Sequence, residues 1–124
     1  MKLKVLLIIS TVYMGLIGIG HLFAPVVMSA GVVPANASLG LVAFLRHYSA
    51  LFIAMAVMNW MARNAEASTA RNAIVLANII VFGLAAVLDV LTVLSGAGAA
   101  GLVPASINLI IGTAFFWASR TASQ

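Results

Sequence analysis

Apolar residues along the chain fall into four long runs, separated by short polar or glycine-rich breaks. The runs cover about residues 5–23, 41–62, 73–95 and 102–119. A helix needs about 20 mostly apolar residues to cross the hydrocarbon of a bilayer, so each run predicts one membrane span. Pro25 closes the first, and the connection 25–40 contains two prolines and two glycines. The second connection, 63–72, is polar, and the third, 96–101, is short, uncharged and rich in glycine. The fold class this predicts is all-α: an integral membrane four-helix bundle forming one domain.

Composition supports the pattern and removes its competitors. The 124 residues are 65% hydrophobic and 6% charged, with a mean hydropathy of +1.22. Soluble domains have about 25% charged residues, so too few charged side chains are present here to clothe a soluble domain. A soluble enzyme, a secreted module and a disordered tail are all excluded. With no cysteine, disulfides, thiolate metal sites, iron–sulfur clusters and cysteine nucleophiles are excluded together. The net charge of +4 comes from scattered basic residues that form no patch interleaved with aromatics, so no nucleic-acid partner is implied.

The positions of those charges predict orientation. Lys2 and Lys4 precede the first run, Arg63 and Arg71 flank the second connection, and Arg120 follows the last run. Four crossings place all five on one side, while the loops of the other side are uncharged. By the positive-inside rule both termini and the 63–72 turn are cytoplasmic, which implies a multi-pass protein of the inner membrane. Lys2 and Lys4 ahead of an apolar run also resemble a secretory signal, with Ala35-Asn36-Ala37 as a cleavage site. That run is longer than a signal core and the site lies well past its end, so the segment is read as a retained span.

Ionisable groups within a span are costly and need a partner or a task. Counting about 1.5 Å of rise per residue, His21 and Asp89 come near the outer ends of the first and third spans. Arg46, His47 and Asn108 come near the outer starts of the second and fourth. These five residues are the candidate ligand-binding set. Small residues recur on their faces: Gly18 below His21, Ala85 and Ala86 below Asp89, Ala50 and Ala54 below His47, Gly112 below Asn108. Such faces let membrane helices approach closely, which predicts that the polar side chains point into the bundle. The inner half offers only Asn59, Asn78 and scattered hydroxyls.

Arg46 and Asp89 are the only opposite charges at this depth and are expected to pair. The pair reads either as a fold-specifying contact or, with the histidines, as a proton-handling or headgroup-binding site open to the outer face. His21 and His47 at similar depth could ligate one haem b iron, but adjacent helix positions lie about 100° apart. His47 must therefore look away if Arg46 faces Asp89. Zinc lacks a third strong ligand, and no catalytic residue or metal site is assigned. Trp60 and Trp117 sit at the inner ends of their spans, as aromatic belts do. Asn36-Ala37-Ser38 matches the short glycosylation sequon, and the six methionines read as packing residues. A faint internal repeat lays Gly15–His21 on Gly83–Asp89 and Trp60–Arg63 on Trp117–Arg120, with different offsets. It would make each half a helical hairpin of the same sense, a known membrane architecture.

Gly20-His21-Leu22-Phe23-Ala24-Pro25 and Phe44-Leu45-Arg46-His47-Tyr48-Ser49-Ala50 resemble segments of the small four-span bacterial membrane proteins of the DoxX-like and DUF4345 type. The resemblance covers most of the chain in span order and length. It implies a four-helix membrane bundle and, through some relatives, an association with quinone-linked oxidoreductases. It transfers no catalytic residue, and the missing cysteines set this chain apart from relatives that use them.

No nucleophile–base set is evident. The function expected from the residues is therefore non-enzymatic: an accessory subunit, or a binder of a small amphiphile such as a quinone or lipid. The 25–40 loop would lie over its site. Partners implied are the lipid bilayer and either a membrane enzyme complex or a second copy in a homodimer. The alternatives are a compact proton-coupled transporter, against which the first span has His21 but no acid, and a haem or quinone redox subunit.

Overall fold

The computed structural model describes residues 2–121. It is all-helical, with α1 at Leu3–Phe23, a short α2 at Pro25–Met28, α3 at Leu39–Ala62, α4 at Thr69–Thr92 and α5 at Leu102–Thr121. Four of these helices are long and apolar enough to cross a bilayer, and the chain is a multi-pass membrane protein.

The long helices begin in polar residues that hydropathy leaves out of the spans. Ser38 caps α3 by accepting a hydrogen bond from the Leu41 amide at 3.2 Å, and Ser68 caps α4 from the Arg71 amide at 3.2 Å. Each serine supplies an acceptor for an amide that has no partner inside its own helix. Helices α3 and α4 therefore start at Leu39 and Thr69, ahead of the apolar stretches at 41 and 73. Pro25 opens α2, where its missing N–H costs nothing. At its other end α4 passes into a π-helical turn, Val93–Ala97, which breaks at Gly96 with φ of +94°. That backbone angle is strained for any residue with a Cβ.

Helix α1 lies along α3, and α4 along α5, so the chain forms two helical hairpins. A narrower seam joins them, chiefly α1 against α5. The α1–α3 contact is close at Gly18, where an added Cβ would stand 2.7 Å from Ile53 Cγ1 and 3.1 Å from the Ile53 amide nitrogen. The core along the seam contains Leu6, Leu7, Met14, Val75, Phe82, Ile111 and Phe115. Phe82 and Phe115 stack with ring centroids 6.2 Å apart. Large apolar residues such as Leu16, Leu84 and Ile110 are exposed all around the outside. In water such a surface would drive association; against lipid tails it is the matching solvent.

Two ends can be distinguished. At the loop end α1 and α4 finish while α3 and α5 begin; at the opposite end lie the residue 2 terminus, the 63–68 turn and the finish of α5. The 24–38 segment crosses the loop end. A Cβ at Gly31 would approach that of Ala100, beside the start of α5, to 2.9 Å.

Candidate functional site

Polar side chains inside the bundle gather in two places. The first is a closed knot of Ser10 from α1, Asn59 from α3 and Asn78 from α4, all with no exposure. The two amides bond reciprocally. Asn78 Nδ2 donates to Asn59 Oδ1 at 2.7 Å, and Asn59 Nδ2 donates to Asn78 Oδ1 at 3.0 Å. Asn59 Nδ2 also donates to Ser10 Oγ at 2.8 Å, and Ser10 Oγ donates to Asn78 Oδ1 at 2.9 Å. The last amide proton goes to the Ile74 carbonyl at 2.8 Å. Every amide and hydroxyl proton of the three residues is thus used. An amide has two donors and two lone pairs, so this node ties three helices together with no donor left to offer a ligand.

The second is a line nearer the loop end. Tyr13 on α1 donates its hydroxyl to Asn108 Oδ1 at 3.3 Å, and Asn108 Nδ2 donates to Asp89 Oδ2 at 2.9 Å. Asp89 Oδ1 has no hydrogen-bond partner among the described residues. The line borders a cavity of about 410 Å³ to which all four spans contribute. Its polar lining is Tyr13, His21, Tyr48, Asp89 and Asn108; Met14, Ile17, Phe52, Phe82 and Leu88 are among its apolar lining. His21 is anchored at both ring nitrogens. Nδ1 lies 2.9 Å from the Ile17 carbonyl, and Nε2 lies 3.2 Å from Ser29 Oγ in the loop-end segment. The ring stacks on Phe52 at 6.2 Å, and Phe52 meets Tyr48 edge to face at 4.8 Å. The cavity therefore has an aromatic wall beside a carboxylate with one open oxygen.

Of the five candidates, His21, Asp89 and Asn108 come together on this cavity, and Arg46 and His47 do not. Both lie on the exposed face of α3. The expected Arg46–Asp89 pair does not form: Asp89 is engaged by Asn108, and Arg46 is exposed. The reason is the stripe that α3 buries, Leu45, Ser49, Ala56, Asn59 and Ala62. Arg46 is one residue, about 100°, off that stripe, and His47 about 200°. His47 Nδ1 instead sits 2.9 Å from the Ala43 carbonyl of its own helix, so the two histidines line no common cavity. Among the described residues no group of three or more His, Asp or Glu side chains could hold a metal ion.

Two further expectations gain detail. The loop-end segment crosses the bundle and bonds His21, but none of its residues lines the cavity. The inner half also holds more than isolated amides, because Asn59 and Asn78 build the most completely bonded polar cluster described. Tyr13 and Tyr48, whose hydroxyls the sequence already offers to a polar network, both line the cavity. Their signal is position: Tyr13 falls two turns before His21, and Tyr48 falls one residue before the buried Ser49.

Against protein-family models, curated proteins and solved structures, the chain shows no significant match.

Proposed function

We propose that the protein binds a small amphiphile, a quinone or a lipid, in the cavity near its loop end, and acts without chemistry of its own as an accessory subunit of the membrane. The observation behind this is the Tyr13–Asn108–Asp89 line along an otherwise apolar cavity to which all four spans contribute. Small-molecule sites are mostly apolar concavities with a few well-placed polar groups, and about 410 Å³ is within their usual range. A polar head would meet Asp89 Oδ1 and the Tyr48 hydroxyl. A ring or tail would lie against Phe52, Phe82 and Leu88. The orientation proposed with it puts both termini in the cytoplasm, supported by Lys2, Lys4, Arg63, Arg71 and Arg120 at one end. Kinship with the DoxX-like and DUF4345 group belongs to the same proposal and rests on Gly20–Pro25 and Phe44–Ala50.

Native mass spectrometry with a short-chain quinone and with a lysophospholipid tests the site. A saturable one-to-one complex with at least one of them is expected, and Ala85→Phe, which fills the cavity from its α4 wall, should remove it. Binding that never saturates, or that survives Ala85→Phe unchanged, would overturn the proposal.

A further inference from the structure

The basic residues that indicate orientation also build a pocket. Lys4 at the start of α1, Arg63 at the end of α3 and Arg71 in the first turn of α4 line a cavity of about 220 Å³, above Leu3 and Leu7 and beside Asn64. The start of α1 and the two sides of the α3–α4 turn thus deliver three cations to one concavity. No acidic residue lines it; Glu66, which follows the lining residue Ala65 in the same turn, is exposed.

The guanidinium of Arg71 is the best-defined part. Its Nη1 donates to the Ala65 carbonyl at 3.3 Å, which fixes the side chain across the turn. Its Nε is buried and has no hydrogen-bond partner among the described residues. Arg63 lies flat on Trp60, 3.5 Å above the ring centroid, and bonds the Trp60 carbonyl. Its charge is therefore held at the rim by a residue of the kind that marks the bilayer interface. Lys4 is exposed and makes no hydrogen bond among the described residues.

We infer that this pocket binds the phosphate of an anionic phospholipid headgroup. Arginine matches phosphate geometry with paired N–H donors, and two of the three cations that line this pocket are arginines. Basic pockets between spans on the cytoplasmic side are suited to anionic headgroups. The apolar floor at Leu3 and Leu7 suits the glycerol and first methylenes of a lipid better than a soluble anion. A zwitterionic headgroup would need an acidic partner for its ammonium, and the lining has none. The site shares no residue with the cavity at the loop end, so either can fail without the other.

Retention of phosphatidylglycerol against phosphatidylcholine of the same chains, counted by native mass spectrometry and paired with thermal unfolding in mixed micelles, tests the inference. The full chain should prefer phosphatidylglycerol, and melt higher in it. Arg71→Gln and Lys4→Gln should each reduce the preference about fivefold, the effect of one basic residue near a membrane surface. Lys4→Gln removes no hydrogen bond among the described residues, so its result stands even if Arg71→Gln disturbs the turn. Equal retention of the two lipids would overturn the inference, as would a preference that survives both substitutions. Stabilisation by inorganic phosphate equal to that by phosphatidylglycerol, at matched ionic strength, would overturn a lipid as the ligand.

Discussion

The knot at Ser10, Asn59 and Asn78 and the line at Tyr13, Asn108 and Asp89 use similar side chains to opposite ends. Both join three helices, and both contain an amide at the centre. In the knot every proton has an acceptor and nothing is exposed. In the line the bonds stop at Asp89, whose second oxygen is open, and a cavity runs alongside. Polarity inside a span thus marks a place of interest without saying of which kind. What separates structure from site is whether the hydrogen bonds close on themselves. A closed set specifies helix register, as buried polar groups do in some bundles; an open set beside a cavity can still be completed by a guest.

That contrast can be broken most forcefully at the knot. Asn78→Leu removes the acceptor for both Ser10 and Asn59 and strands the Asn59 carbonyl. Leaving buried polar groups unpaired costs about 1–3 kcal/mol each, and partners found elsewhere in the membrane reduce this. A loss of about 2–3 kcal/mol is expected by reversible unfolding in mixed micelles. A variant as stable as the parent would show that the knot does not organise the bundle.

The line should answer more softly. Asn108→Leu cuts it in the middle, and one net hydrogen bond is worth about 1 kcal/mol. Because the neighbouring cavity gives Tyr13 and Asp89 room to find other partners, a loss of no more than about 1 kcal/mol is expected. A loss as large as that of Asn78→Leu would make the line a second structural knot and erase the distinction. Smallest of all should be Arg46→Gln with His47→Gln. Surface substitutions usually stay within about 0.5 kcal/mol, and the same unfolding measurement should find these there. A larger cost would mean that the exposed face of α3 is covered by something, such as a second copy of the chain.

Much of the fold is legible in the sequence because a bilayer imposes length and apolarity on every span. Helix starts are less so: Ser38 and Ser68 lie in polar stretches that hydropathy excludes. For the site, counting residues gives depth but not direction. It brings His21, Asp89 and Asn108 to the right height, and their small or buried neighbours Gly18, Ala86 and Gly112 also give the right face. On α3 the same signal misleads. Ala50 and Ala54 under His47 are exposed, while the buried stripe passes through Leu45, Ser49 and Ala56. Small size fits a packing face equally well on either side of that helix, and only the partner helix decides. The mistaken expectation of an Arg46–Asp89 pair has the same origin, since Arg46 sits on the exposed face of α3.

The central claim is that the knot holds the bundle and the line serves a ligand. Thermal unfolding of Asn78→Leu and Asp89→Leu, each with and without a saturating short-chain quinone or lysophospholipid, tests it most directly. Asn78→Leu should lower the unadorned Tm yet keep the ligand-induced rise. Asp89→Leu should leave the unadorned Tm near that of the parent and lose the rise. If Asp89→Leu instead unfolds as readily as Asn78→Leu, or still gains the full stabilisation from ligand, the division between the two polar regions is wrong.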